Sequence, residues 1–142
     1  MKLASTRIVT SNVSELAVFY EQITGIPPQG GADYVEFRTS GSILALCSQR
    51  AIRQYNADAA SPQANRSAIL EFQVEDVDAE RSRLQAVVPT WVQEPTNQPW
   101  GNRSMLFRDP DGNLINFFHA AAPPARVSHM NTTSPGGYPT SS

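Results

Sequence analysis

Short apolar runs separated by turn residues recur along this chain. The first, residues 3–10, reads as a strand ending at Ser11-Asn12, a pair able to cap a helix. Leu16, Phe19, Tyr20 and Ile23 then recur at three- and four-residue spacing, which predicts one apolar helical face. Gly25 stops that helix and Pro27-Pro28 prevents its restart. Tyr34 to Arg38 alternates as a half-buried strand, and Ser40-Gly41 turns the chain back into the apolar run Ser42 to Cys47. Residues 49–66 are polar and rich in Gln, Asn, Ala and Ser, so they read as an irregular connector over the surface.

The order then repeats. Ala68 to Val74 reads as a strand, and Asp76 caps a helix carrying Val77, Arg81 and Leu84. Val87 to Val92 reads as a strand broken at Pro89, with a loop running on through Pro95 and Pro99. Ser104 to Phe107 and Asn113 to Phe118 form a hairpin across Asp109-Pro110-Asp111-Gly112, a strong turn signal. Asn12-Val13 matches Asp76-Val77, and Gly41 matches Gly112, so the chain contains an internal duplication. The fold class that follows is α+β. Two βαβββ modules, residues 3–48 and 67–119, are expected to be related by a pseudo-twofold axis as cupped mixed sheets around a cleft, together making one domain over 1–119. From Ala120 to Ser142 the chain is Ala, Pro, Ser, Thr and Gly, and is expected to be a flexible tail that adds nothing to the core.

Composition narrows the function classes. A chain of 142 residues suits a single sizeable core, and its 40% hydrophobic content is that of a globular protein. A formal net charge of −2 with no Lys/Arg run argues against nucleic acid as a partner. No stretch approaches the length of a membrane span, and Lys2 and Arg7 interrupt the first residues before any signal-like apolar run develops, so the expected compartment is the cytoplasm. The single Cys47 excludes an internal disulfide framework and any multi-cysteine zinc site.

The stretch Gln98-Pro99-Trp100-Gly101, followed by Arg108-Asp109-Pro110-Asp111-Gly112-Asn113 and ending in Phe117, resembles the closing half of bleomycin-resistance proteins. Asn12-Val13, Phe19-Tyr20 and Gly25 resemble the opening module of the same group. With the duplication, residues 3 to 119 resemble the vicinal-oxygen-chelate superfamily of glyoxalase I, fosfomycin-resistance enzymes, extradiol dioxygenases and bleomycin-binding proteins. Enzymes of that group hold a divalent ion on ligands from several strands. The resemblance places those ligand positions here at Ser5, Ala45, Ile69 and Asn116. A hard or borderline cation needs several His, Glu or Gln donors, and these four residues do not supply them. No metal and no cofactor are therefore expected.

Strand alternation puts Arg7 and Glu71, two residues beyond Ser5 and Ile69, on the same side as those positions. They stand at equivalent places in the two modules. Either they orient a polar ligand, Arg7 gripping a carboxylate or carbonyl and Glu71 a donor, or they form a salt bridge that fills the space of a lost metal. His119 closes the last strand as a surface residue or, less simply, a ligand, and His129 falls in the tail. Cys47 reads as a small buried hydrophobe rather than a nucleophile. Trp91 and Trp100 bracket the loop of the second module. In the bleomycin-binding relatives the Trp at the position of Trp100 lines a groove for flat drugs, and Tyr34 and Phe118 have access to the same groove; the alternative is that Trp100 packs beneath its loop. For Phe117 a core position is expected.

The candidate ligand-binding residues are thus Arg7, Tyr34, Glu71, Trp100, Asn116 and Phe118. The resemblance implies a homodimer that sequesters a bulky or planar small molecule without chemistry. The alternatives are a lyase, isomerase or dioxygenase-like enzyme with a displaced metal, in which Arg7 and Glu71 act as electrophile and general base, and a subunit that binds another protein through its Pro-rich tail.

Overall fold

The computed structural model describes residues 1–121. They form two compact units, one of Met1–Arg66 with Pro110–Gly112 and one of Ser67–Asp109 with the chain from Asn113 onward. The expected tail beyond Ala121, with His129, lies outside the described residues.

The first unit runs β1 (Ser5–Thr10), α1 (Val13–Thr24), β2 (Gln29–Gly30), β3 (Tyr34–Arg38), β4 (Ile43–Ser48) and α2 (Gln49–Tyr55). The second runs β5 (Ile69–Gln73), α3 (Val77–Arg83), β6 (Thr90–Asn97), β7 (Asn102–Arg108) and β8 (Leu114–Ala120). Each carries one four-stranded sheet, ordered β1-β4-β3-β2 and β5-β8-β7-β6. The first strand of each unit is parallel to the last and the remaining pairs are antiparallel. The chain is therefore α+β, with two βαβββ modules of identical strand order.

Local chemistry explains the elements. Asn12 caps α1 by accepting the Glu15 N–H at 3.0 Å, and Asp76 caps α3 by accepting the Ala79 N–H at 3.1 Å. Gly25 ends α1 at φ 71°, a left-handed conformation that glycine adopts without a Cβ penalty. In the β7–β8 turn, buried Asp109 accepts from both the backbone and side-chain nitrogens of Asn113, at 2.9 and 2.8 Å. That clamp leaves no polar atom of the Asp109 carboxylate to desolvate without a partner, and it fixes the register of the hairpin.

In the first unit, Leu16, Tyr20 and Ile23 of α1 bury against the sheet side that carries Val35, Phe37, Leu44 and Leu46. In the second, Phe72, Phe107 and Phe117 stack edge to face at 5.1 and 5.7 Å, with Val77 and Leu84 buried nearby on α3 and its cap. Phe117 is thus a core residue, as its sequence context implied.

Four elements differ from expectation. The connector 49–66 begins with a helix, α2, capped by the Ser48 hydroxyl and anchored by Ile52, which packs with Val9 and Cys47. One buried residue in a seven-residue helix leaves no apolar periodicity to detect. Residues Gln29–Gly30, just beyond Pro27-Pro28, add a short edge strand on β3. Finally, β6 starts after Pro89 and runs through Pro95 rather than ending at Val92. An edge strand tolerates a residue with no N–H, and the register shifts twice, between Trp91 and Gln93 and between Gln93 and Thr96. The last strand also reaches Ala120, paired with Asn102, one residue into the expected tail.

Candidate functional site

Register assigns the proposed site residues to the sheet face opposite α1 in the first unit. Arg7 stands beside Ala45, which stands beside Glu36. The next row is Val9, Cys47 and Tyr34, and the row on the other side is Ser5, Ile43 and Arg38. The Tyr34 hydroxyl donates to one Glu36 oxygen at 2.8 Å, and Arg38 donates to the other at 2.9 Å. Glu36 is thereby fully engaged. Its acceptance of the Tyr34 proton pushes that phenol's pKa up, because ionisation would place two anions in contact.

Arg7 is exposed and makes no ion pair within its unit, while its charge acts on both Tyr34 and Cys47. Burial raises the Cys47 thiol above its ordinary pKa, and the Arg7 charge only partly offsets this. At 1% exposure Cys47 is a core residue beside Ile52, not an activated nucleophile. Glu36 and Arg38 were not singled out in the sequence. The signal was present in Tyr34-x-Glu36-x-Arg38, three polar groups at strand period on one face.

The second unit repeats the geometry with different chemistry. Glu71 stands beside Asn116, then Leu106, then Gln93; Gln73 stands beside Phe118, Ser104 and Thr96. Asn116 donates from Nδ2 to Glu71 Oε2 at 3.0 Å. Its Oδ1 is buried and has no hydrogen-bond partner. A carboxylate oxygen accepts, so the amide nitrogen faces Glu71, and the orphaned atom is the carbonyl oxygen. Ser104 accepts from Gln98 Nε2 at 3.1 Å, tying this face to the turn Gln98-Pro99-Trp100-Gly101. That turn closes through Gly101 N–H to the Gln98 carbonyl at 3.1 Å, with Gly101 at φ 103°. Trp100 in it is half-buried, and Phe118 is 5% exposed.

Two further residues have structural tasks. His119 Nδ1 accepts the Val77 N–H at 2.9 Å, so it helps to hold the start of α3. Trp91 packs on Phe107 at 5.5 Å and lies under the Arg81 guanidinium at 3.8 Å, an internal stack of the second unit.

A family model, the Glyoxalase/Bleomycin resistance protein/Dioxygenase superfamily, matches residues 2–117. The chain belongs to this superfamily. It is 26% identical over 125 residues to the uncharacterized protein YraH of Bacillus subtilis (strain 168), a match that spans 83% of this chain and 98% of YraH. Among solved structures, it is similar to a glyoxalase-related enzyme from Fulvimarina pelagi, with TM-score 0.74 and 18% identity over 89% of this chain and 94% of that one. It is also similar to a glyoxalase/bleomycin resistance protein/dioxygenase from Nocardioides, with TM-score 0.71 and 20% identity over 90% of each chain. At these identities the structures speak for the fold.

Membership in the superfamily raises the question of a divalent ion. Of the four positions that the resemblance assigns to its ligands, Ala45 is a fully buried methyl and Ile69 a part-exposed hydrocarbon. Ser5 offers an exposed hydroxyl, and the Asn116 amide has already committed its nitrogen to Glu71. This donor set does not fit a catalytic cation. No group of three or more His, Cys, Asp and Glu among the described residues is placed to hold one elsewhere.

Proposed function

We propose that this protein is a small-molecule-binding member of its superfamily, holding a bulky or planar organic ligand without a coordinated metal. One observation carries it. The four positions of the expected ligand set bear a hydroxyl, a methyl, a branched hydrocarbon and a single amide, while the same sheet faces present groups suited to organic recognition. Arg7 and Tyr34 on the first unit, and Glu71 and Asn116 on the second, supply charge and hydrogen bonds, while Phe118, expected beside them, is buried. The half-buried indole of Trp100, on the turn tied to Ser104, adds an aromatic plane.

The enzymatic alternative needs either a displaced metal or acid–base chemistry by Arg7 and Glu71. The absence of three grouped donors among the described residues weighs against the first. Nothing in the geometry favours the second, since Glu71 is exposed and anchored by an amide rather than set beside a proton-accepting partner. Among the described residues no helix is long and apolar enough to cross a membrane. The homodimer implied by the resemblance is part of the proposal, and sedimentation at micromolar concentration reads it.

The test is a fluorescence titration with a panel of planar aromatic antibiotics. A binding protein shows saturable quenching that survives chelator and is lost in Trp100→Ala, with Trp91 as the internal reference. Quenching that is equal in wild type and Trp100→Ala removes Trp100 from the site. Binding that vanishes with chelator overturns the metal-free reading.

A further inference from the structure

The Asn116 amide is 6% exposed, and its carbonyl oxygen is buried without a donor, although the amide nitrogen beside it is satisfied by Glu71. Buried acceptors of this kind are uncommon, because leaving one unmet forfeits the hydrogen bond it made to water. The side chains directly beside it in register supply no proton, and the donors of this face, Arg108, Ser104 and Gln73, stand one row away. Leu106 flanks Asn116 on β7 and Phe118 lies one row along β8, and neither has a donor side chain. Glu71 on the other flank is an acceptor whose carboxylate is exposed. Two acceptors, one neutral and buried, one anionic and reachable, therefore sit side by side, with Leu106 as the apolar neighbour of the buried one. The equivalent pair in the first unit is Arg7 beside Ala45, a donor beside a methyl, so the duplication does not explain this arrangement.

From these contacts we infer that Asn116 and Glu71 form a subsite for a nitrogen cation rich in N–H donors, an amidinium or primary ammonium on an organic ligand. The inference rests on the small-molecule-binding reading above and names the ligand class within it. One N–H meets Asn116 Oδ1, a second meets the Glu71 carboxylate, and the ligand's hydrocarbon lies against the half-buried Leu106. Charge selects the cation over a neutral amide, and the two-acceptor geometry selects a fork of donors over a quaternary ammonium. A position that the superfamily gives to metal coordination would here receive an organic cation instead. Oδ1 is shielded from solvent, so entry requires a neighbouring side chain to move aside. The buried oxygen is then traded from no partner to a charged one.

Benzamidinium and benzoate, matched in shape and opposite in charge, are the probes. The full-length protein is titrated with each while the side-chain amide resonance of Asn116 is followed by nitrogen–proton correlation spectroscopy. Benzamidinium is expected to shift that resonance saturably and benzoate to leave it in place. Glu71→Gln, a change at an exposed position, is expected to weaken benzamidinium about tenfold or more, as loss of a charge-assisted hydrogen bond does. Asn116→Leu, which keeps the side chain's size, is expected to weaken it similarly by calorimetry. Equal binding of the two ions, an unmoved Asn116 resonance, or unchanged affinity in Glu71→Gln would each overturn the subsite. If those results came while planar antibiotics still quenched Trp100 saturably, only the cation subsite would fall. If the antibiotics also failed, the wider binding-protein reading would fall with it.

Discussion

Asn116 concentrates the chemistry of the second unit at the scale of a single residue. Its nitrogen is satisfied and its oxygen is not, so in the unliganded protein the amide gains one modest hydrogen bond and carries one desolvated acceptor. Replacing it by an isosteric hydrocarbon removes both terms, and Glu71, being exposed, returns to water. Asn116→Leu is therefore expected to unfold within about 1 kcal/mol of wild type, or above it, in urea denaturation. A loss of about 2 kcal/mol or more would mean that the amide is a structural anchor. Ala45, at the register-equivalent place, is fully buried yet asks for no polar partner. The sequence displays both residues at their strand positions, and alternation assigns each to the correct row. It does not display Oδ1 as an orphan, because satisfaction depends on which neighbours the register brings alongside. Tyr34-x-Glu36-x-Arg38 places Glu36 on the right face by its strand period, but that Tyr34 and Arg38 share its carboxylate appears only in the structure.

Among the elements, the legible ones are those with periodic apolar faces or strong caps. Helix α1 was readable from Leu16, Tyr20 and Ile23, and the β7–β8 hairpin from its Asp-Pro-Asp-Gly turn. Helix α2 was not, since Ile52 is its sole buried side chain. Strand β6 was cut short in the sequence because Pro95 signals a break, whereas at a sheet edge its missing N–H faces no partner strand. Charge holds α3 to this edge. Arg103 of β7 makes a two-pronged contact with Asp78 at 2.7 and 2.8 Å, and Arg81 grips Glu94 of β6 at 2.7 Å. The Arg103 guanidinium holds the Asp78 carboxyl below its ordinary pKa, and Arg81 does the same for Glu94. Depressed carboxylates stabilise the fold above their unfolded pKa and lose that contribution as pH falls through the folded value. Wild type is therefore expected to lose more thermal stability than Arg103→Leu on going from about pH 6 to about pH 3, a window spanning the ordinary carboxylate range. Parallel pH profiles in the two proteins would show that the Asp78 contact contributes nothing. Asp78 is largely exposed and Arg103 partly so, and the difference belongs to the small-effect class of surface pairs.

Two βαβββ units of the same strand order account for nearly all of the described chain, and that duplication was the most informative feature of the sequence at the scale of the whole molecule. Equivalent register brings Arg7 beside Ala45 in one unit and Glu71 beside Asn116 in the other. The halves have kept a scaffold and diverged in the few side chains that decide chemistry, as expected for a fold that hosts many functions. The ligand itself was not legible, because its class is set by which donors and acceptors remain unmet after folding. Elemental analysis of the purified protein by plasma mass spectrometry, before and after dialysis against chelator, tests the metal-free account most directly. The account predicts far less than one transition-metal ion per chain, with small-molecule binding unchanged by the dialysis. One tightly held ion per chain, whose removal abolishes binding, would contradict it.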